Sequence, residues 1–132
     1  MENTLKLNII TPERLLFSGE IKELTTENEL GRITILPNHI SLLTSLKPAV
    51  TFFVDVTGKE YKAFTSNGIL RVEHNNLEIL CDAAEWPDEI DLNRAEKAAE
   101  RATEHLNKKE GIDFKRAEMA LQRSIARKKV KA

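Results

Sequence analysis

Basic side chains in the last third of the chain are the residues whose types and spacing best suit a chemical role. They project from one side of each of two predicted helices: Arg94, Lys97, Arg101 and Lys108 from the first, and Arg116, Arg123 and Arg127 from the second. Glutamates alternate with the bases of the first helix at helical neighbour distance, which favours a solvated, internally paired face there. The second helix lacks such compensation and is expected to bind an anion. A nucleotide phosphate, an acidic protein surface and nucleic acid are the candidates.

The side chains that commonly hold metals or act as nucleophiles are scattered. His39 falls in a turn, His74 in a hairpin loop and His105 on a charged helix face, with no ligand spacing between them. His39 is expected to shape or cap its turn, with an interface role as the alternative. Cys81 lies in an alternating apolar run and is expected to be a buried packing residue. The sequence therefore predicts no metal site.

Serine and carboxylate motifs give no catalytic centre either. Ser18-Gly19 and Ser66-Asn67-Gly68 are typical of turns and not of a nucleophile elbow, and the sequence has no glycine-rich phosphate loop. The adjacent carboxylates of Asp88 and Glu89 are most simply the solvated start of a helix. No catalytic residue is predicted, and an enzyme is the function class that the sequence supports least.

Strands are expected to form the platform that carries the basic tail. From residue 4 to residue 85 apolar residues alternate with a period of two, and turn signals recur at short intervals, as in a sandwich or barrel. The clearest hairpin places alternating apolar residues on both sides of a turn at Thr57-Gly58: Phe52, Val54 and Val56 before it, and Tyr61 and Ala63 after it. The prediction is an α+β protein whose residues 1–86 form an antiparallel β-sandwich.

A helical hairpin is predicted over residues 87–132. Pro87 disfavours helix at the preceding residue, and the acidic run that ends at Asp91 suits the positive end of a new helix. A break at residues 109–111 separates two helices, with Asp113 as the second N-cap. Their apolar stripes are Leu92, Ala95, Ala98, Ala99, Ala102 and Leu106, and then Phe114, Ala117, Leu121 and Ile125. Because alanine buries little apolar area, the hairpin is expected to dock weakly and to act as a two-state element.

Length and composition narrow the function classes. A chain of 132 residues, 41% hydrophobic and 31% charged with a net charge of -1, predicts one domain or a smaller domain with an appendage. Neither an apolar run of roughly 20 residues nor a signal peptide is evident, so a cytoplasmic protein is expected. Aromatic residues make up only 5% and do not interleave with the bases, so nucleic-acid binding by stacking is poorly supported.

Four segments carry a family resemblance through their order and spacing. They are ITPERLLFSGEI, GRITILPNHISLLTSLKPAV, TSNGILRV and AEWPDEIDLNRA. Together they resemble the epsilon subunit of bacterial F-type ATP synthases, known as delta in mitochondria, over nearly the whole chain. The resemblance implies a β-sandwich with a C-terminal helical hairpin. It also implies a non-catalytic subunit of an ion-translocating ATP synthase, peripheral on the cytoplasmic face of the cell membrane, with no transmembrane segment of its own.

The resemblance also implies the partners. The sandwich would bind the gamma subunit and the c ring and couple ring rotation to the catalytic alpha and beta subunits. The hairpin would extend along gamma, meet acidic segments of the catalytic hexamer and block ATP hydrolysis. Candidate partner contacts are Gly31, Arg32, His39, Arg116, Arg123 and Arg127. Arg32 departs from the family pattern Gly-Glu-Leu-Gly-Ile by reversing a charge.

A regulatory ATP site is a further implication of the resemblance. Some bacterial members bind ATP between sandwich and hairpin through a motif of Ile or Leu, Asp, two variable residues, Arg and Ala. The candidate ATP-binding residues here are Glu85, Ile90, Asp91, Arg94, Ala95, Arg101, Arg123 and Arg127. Arginines from both helices would converge on the triphosphate, and bound ATP would favour the folded hairpin. No cofactor is required, and a free-standing ATP sensor is the competing hypothesis.

Overall fold

The computed structural model describes residues 3–108 and 113–131, and in this part of the chain strands are followed by two helices, as predicted. The strands are β1 (Leu5–Ile10), β2 (Leu15–Asn28), β3 (Gly31–Ile35), β4 (Leu42–Leu46), β5 (Ala49–Asp55), β6 (Glu60–Thr65), β7 (Gly68–Glu73), β8 (Asn76–Cys81) and β9 (Ala84–Glu85). A 3-10 turn (Pro87–Glu89) leads to α1 (Leu92–Lys108), and α2 (Asp113–Lys131) follows. The predicted break at residues 109–111 lies outside the described residues. No described helix has the length and apolar character that crossing a bilayer requires.

The long strand β2 takes part in both layers of the sandwich. Its first half pairs with β1, and its second half pairs with β3 and β5, with an irregularity in register between Ile21 and Glu23. The opposite layer is built from β1, β8, β7 and β4. Among the described strands every pairing is antiparallel except that of β1 with β8. No tight turn joins β1 to β8, so chain connectivity does not impose an antiparallel direction on them.

Inward side chains from both layers form one hydrophobic core. Its largest members are Phe53, Leu5, Leu7, Ile9, Ile21, Leu24, Ile35, Leu70, Leu77 and Ile79, all almost completely buried. Each such side chain stabilises the fold by roughly 1.5–3 kcal/mol relative to an exposed one. Cys81 belongs to the same core, as predicted, and burial raises the pKa of its thiol to about 11. This thiol is therefore a packing group and not a nucleophile.

The hairpin of β5 and β6 is confirmed, with Tyr61 and Ala63 of β6 against the core as predicted, but the predicted alternation of β5 is shifted by one residue. Phe53 lies in the core at 1% exposure, opposite Tyr61, whereas Phe52 is 46% exposed. Thr51 precedes Phe53 on the inward face, and its hydroxyl lies 2.9 Å from that of Thr26 and 2.7 Å from that of Thr65. Threonine counts as polar in a sequence pattern, although these hydroxyls are buried and bonded to each other. The pattern therefore assigned the inward face of β5 to the wrong residues.

The hairpin docks on the sandwich through α2, while α1 packs chiefly against α2. A second group of apolar side chains, the docking cluster, joins β6, the linker and the end of α2. It consists of Phe64, Ile90, Ala126 and Val130. The buried alanines of the predicted stripes, Ala95, Ala102 and Ala117, line the helices instead. The alanine seam therefore lies mainly between the two helices, and larger side chains hold the hairpin to the sandwich.

Two members of the predicted helical stripes are on the wrong face. Leu92 and Ile125 are both exposed. On α2 the buried positions near the C-terminus are instead Ser124, Ala126 and Val130, and the Ser124 hydroxyl donates to the Ala120 carbonyl at 3.0 Å. An internally satisfied serine can face the interior, and its polar type disguises the stripe in the sequence.

Candidate functional site

The segment that links sandwich and hairpin is fixed locally by its own sequence. The backbone N–H of Arg94 donates to the Asp91 carboxylate at 3.2 Å, and the N–H of Ala95 donates to the Asp91 carbonyl at 3.0 Å. Asp91 is therefore the N-cap of α1, which confirms a helix start just after the acidic run. This cap places Arg94 and Ala95 in the first turn of the helix.

A cavity of about 210 Å³, the junction cavity, lies where β9, the linker and the two helices meet. Its walls are formed by Glu85, Glu89, Asp91, Arg94, Ala95, Ala98 and Arg127. Five of the eight candidate ATP-binding residues are thus brought together: Glu85, Asp91, Arg94, Ala95 and Arg127. The arginines come from different helices, as an anion site between sandwich and hairpin requires.

Arg127 ties α2 to the last strand of the sandwich. Its Nε donates to Glu85 Oε1 at 2.5 Å, and both side chains are half-buried. The guanidinium carbon also lies 4.4 Å from the ring centroid of Phe64, within cation–π range. Lys131 adds a bond from its Nζ to the Pro87 carbonyl at 3.0 Å. The folded hairpin is therefore held by polar contacts at the same end as the docking cluster.

A second ion pair involves Glu89 of the junction cavity. Arg14, in the turn between β1 and β2, donates from both terminal nitrogens to the two carboxylate oxygens of Glu89 at 2.7 Å. Its Nη2 also donates to the Ala84 carbonyl at 3.0 Å, and Glu89 accepts the backbone N–H of Trp86 at 2.8 Å. As predicted, Asp88 and Glu89 are exposed at a helix start, here the 3-10 turn, but the ion pair of Glu89 was not predicted.

This pairing changes the titration of both partners. The hydrogen bonds from Arg14, followed by that from the Trp86 backbone, lower the pKa of Glu89. The same carboxylate raises the pKa of Arg14. The pair stays ionised throughout the neutral range. Sequence patterns could not reveal it, since the two residues are 75 positions apart.

Arg94 is the arginine of the junction cavity that is available to a ligand. Glu85 is occupied by Arg127, and Glu89 by Arg14. Within the described residues the exposed guanidinium of Arg94 makes no ion pair. An incoming phosphate would therefore meet Arg94 without first breaking a salt bridge.

A neighbouring cavity of about 390 Å³, the interhelical cavity, shares the side chain of Ala98 with the junction cavity. Arg101, His105 and Arg116 rim a floor of alanines, and among the described residues no carboxylate lines this cavity. Its volume lies within the roughly 300–1,000 Å³ that small-molecule sites occupy, whereas the junction cavity alone is smaller. Arg94 in the junction cavity and Arg101 in the interhelical cavity both lie on α1, on either side of Ala98.

Two of the candidate ATP-binding residues do not line these cavities. Ile90 is buried in the docking cluster, where it anchors the linker. Arg123 is half-buried on α2 and borders neither cavity. Arg101 lies in the interhelical cavity, away from the other candidates, together with the candidate partner contact Arg116.

The partner-contact candidates of the sandwich lie at the start of β3 and in the segment between β3 and β4. Gly31 opens β3 with a φ of +123°, a conformation that favours glycine, and the next residue, Arg32, is exposed. His39 lies between β3 and β4 with its Nδ1 2.7 Å from the Ile40 carbonyl oxygen. Two apolar neighbours were not predicted as contact residues: Leu30 is 97% exposed and Ile40 is 80% exposed. In the sequence, their apolar type beside turn residues could have indicated them. Large exposed apolar side chains often mark contact surfaces.

No three histidine, cysteine or acidic side chains gather into a metal-binding arrangement within residues 3–108 and 113–131. The charged groups of the site are instead salt bridges and unpaired bases. Such an arrangement can bind an anion and can hold or release a helix, and it contains no nucleophile paired with a base.

Two family models together match nearly the whole chain. The beta-sandwich domain of the ATP synthase delta/epsilon chain matches residues 4–87, and its long alpha-helix domain matches residues 88–131. An ATP synthase epsilon chain of Clostridium kluyveri is 54% identical over 127 residues, covering 96% of each chain. The epsilon chain of a Clostridium botulinum strain is 50% identical over 131 residues, covering 99% of this chain and 98% of the relative.

Solved structures share the fold at low sequence identity. A chain of the Euglena gracilis mitochondrial ATP synthase superposes with a TM-score of 0.87 at 18% identity, covering 98% of this chain and 82% of that one. A chain from the central stalk and c ring of the Tetrahymena thermophila mitochondrial enzyme gives 0.62 at 15% identity, covering 97% and 96%. The pairing of sandwich and hairpin therefore recurs in distant proteins.

Proposed function

Since the chain belongs to the ATP synthase delta/epsilon chain family, we propose that it is a non-catalytic central-stalk subunit that couples ion-driven rotation to ATP synthesis. Its sandwich binds the gamma subunit and the c ring, and rotation is thereby transmitted to the catalytic alpha and beta subunits. The exposed Leu30 and Ile40, beside Gly31 and His39, support a contact surface at these loops. The subunit lies peripherally on the cytoplasmic face of the membrane as part of the complex.

The hairpin is the regulatory part of this subunit. In the folded state α2 is docked by a small apolar cluster and by the pair of Glu85 and Arg127. In the extended state the basic side chains of both helices meet acidic segments of the catalytic hexamer and inhibit ATP hydrolysis. Loss of a few weak contacts is sufficient for this change, because a partner that binds the extended hairpin only modestly more tightly than the folded one shifts the equilibrium between the two states.

ATP holds the hairpin in its folded state. The observation that carries this proposal is the junction cavity, where Glu85, Arg94 and Arg127 meet from three different elements. The phosphates contact Arg94 and extend past Ala98 towards Arg101 and the interhelical cavity. Because ATP binds only where sandwich and both helices are together, it stabilises that arrangement in proportion to its concentration.

The regulatory role is tested by ATP hydrolysis in a reconstituted complex. The complex is assembled with the full chain or with residues 1–86 alone, and hydrolysis is measured at equal occupancy of the subunit. Faster hydrolysis with the shortened chain is expected, because the inhibitory helices are missing. Equal rates would remove inhibition from the proposal and leave the coupling role.

The ATP site is tested by calorimetry on the isolated full chain. Arg94→Gln is expected to weaken ATP binding about ten- to a hundredfold, the effect of losing a charge-assisted hydrogen bond to phosphate. Arg71→Gln is the matched control, since Arg71 pairs with Glu78 on the outer face of β7 and β8. Absence of heat with the natural chain at millimolar ATP would remove the nucleotide site. ATP binding without assembly on gamma would favour the free-standing sensor.

A further inference from the structure

We propose that Arg14 is a positioning residue of the nucleotide site, which acts through Glu89 to make the junction cavity receptive to phosphate. The inference rests on the proposed ATP site and extends it to a residue that is distant from the motif in the sequence but bonded to Glu89, next to the motif, in the fold. Arg14 does not line the cavity itself. Its guanidinium lies behind a carboxylate that does.

The geometry of the contact is that of a clamp. Two parallel bonds of 2.7 Å fix both oxygens of Glu89, and a third bond of 3.0 Å fixes Arg14 to the Ala84 carbonyl. One oxygen of Glu89 also accepts the N–H of Trp86. Bidentate pairing of this kind defines the orientation of the carboxylate as well as its charge. Glu89 is thus held towards the sandwich while its side chain still forms part of the cavity wall.

The charge balance explains why this clamp matters for an anionic ligand. Three carboxylates line the junction cavity, from Glu85, Glu89 and Asp91, against two arginines, Arg94 and Arg127. The wall alone therefore carries a net charge of -1 and would repel a polyphosphate. Arg14 brings the local balance to neutrality through its contact with Glu89. Glu85 and Glu89 are then each paired with an arginine, and Asp91, which caps α1, is the one carboxylate of this wall without an ion-pair partner among the described residues.

The same clamp also sets the path of the chain into the motif. Glu89 closes the 3-10 turn by accepting the Trp86 N–H, and Ile90 and the N-cap Asp91 follow directly. If Arg14 acted only by fixing the turn, ATP affinity would fall in every variant that breaks the pair. If Arg14 acts by compensating charge, ATP affinity would fall only in variants in which Glu89 keeps its charge. This difference separates the two roles by experiment.

The test is a set of ATP affinities measured by calorimetry on the full chain. Arg14→Gln is expected to weaken ATP binding about 5- to 10-fold, because one unit charge a few Å from the ligand becomes uncompensated in a partly screened site. AMP, with fewer charges, is expected to lose less. The double variant Arg14→Gln/Glu89→Gln is expected to bind ATP within about twofold of the natural chain.

Two further variants test whether a loss of ATP affinity has a cause other than the charge of Arg14. Arg14→Lys keeps the positive charge and is expected to retain most of the affinity. Arg71→Gln breaks another arginine–glutamate pair of the sandwich, outside the junction cavity, and is expected to change nothing. The midpoint of urea unfolding, measured for every variant, verifies that each one is folded. Arg14 is more than a third exposed, so its replacement is compatible with folding.

The outcomes separate this inference from the function on which it rests. Unchanged ATP affinity in Arg14→Gln, with normal binding by the natural chain, overturns the inference and leaves the ATP site standing. A double variant as weak as Arg14→Gln also overturns it, because the clamp would then be structural only. No binding by the natural chain would remove the ATP site and this inference together. Recovery in the double variant is the supporting result.

Discussion

The β-sandwich and the helical hairpin are stabilised by different kinds of contact. The sandwich buries many leucine, isoleucine and phenylalanine side chains in one continuous core. The hairpin docks through a cluster of four buried residues, two ion pairs at the linker and an alanine seam between its helices. Large apolar side chains contribute several times more burial energy than alanines or exposed ion pairs. We therefore expect release of the hairpin to cost less free energy than unfolding of the sandwich.

The largest expected effect lies in the sandwich core. Phe53→Ala is expected to lower the free energy of unfolding by about 3–5 kcal/mol, because it removes a buried ring and leaves a cavity. Phe52→Ala is the matched control on the neighbouring, half-exposed position and should cost less than about 1 kcal/mol. Urea denaturation followed by circular dichroism measures both. Equal losses would contradict the inward phase assigned to Phe53.

A smaller effect, confined to the hairpin, is expected from the docking cluster. Val130→Ala should destabilise the docked state by about 1.5 kcal/mol, since two buried methyl groups are lost. Amide hydrogen exchange should rise in α2 and stay unchanged in the sandwich strands. Ile125→Ala, at an exposed position of the same helix, serves as control. Increased exchange across the strands as well would mean that the two regions unfold together.

The pair of Glu85 and Arg127 is expected to contribute about 1 kcal/mol to docking. Arg127→Gln leaves a half-buried carboxylate without its partner and also removes the cation–π contact with Phe64. A double-mutant cycle with Glu85→Gln, read by exchange protection of α2, isolates the pairwise energy. Lys128→Gln removes a neighbouring charge that forms no ion pair in the described part of the chain, and should have little effect. Additivity of the two single changes would show that the pair is not coupled.

The smallest effect is the pH dependence of the Arg14–Glu89 pair, whose side chains are 41% and 38% exposed. Folding lowers the pKa of Glu89, so the stability from this group is fully present above about pH 4.3 and is lost as the pH falls towards the folded value. The stability difference between the natural chain and Glu89→Gln should therefore shrink between pH 5 and pH 3. A difference that stays constant over this interval would contradict a native ion pair.

Local sequence patterns predicted much of the fold and part of the site. The order of strands and helices, the burial of Cys81 and the helix start after Asp91 follow from periodicity and capping, and each is confirmed. These features depend on residues two to four positions apart, whose geometry the backbone fixes directly. The pattern failed where polar side chains face the interior, as Thr51 and Ser124 do. Their hydroxyls are satisfied by partners that the pattern does not contain.

By itself, the sequence determined the α+β architecture and the family, and it predicted the set of arginines for the proposed nucleotide site. Only the tertiary structure decided which charges are already paired: Arg127 with Glu85, 42 residues away, and Arg14 with Glu89, 75 residues away. It also left Arg94 available and placed Arg123 outside both cavities. The physical reason is that an ion pair depends on the distance between two side chains in space. For residues so far apart in the chain, this distance is set by the packing of strands and helices.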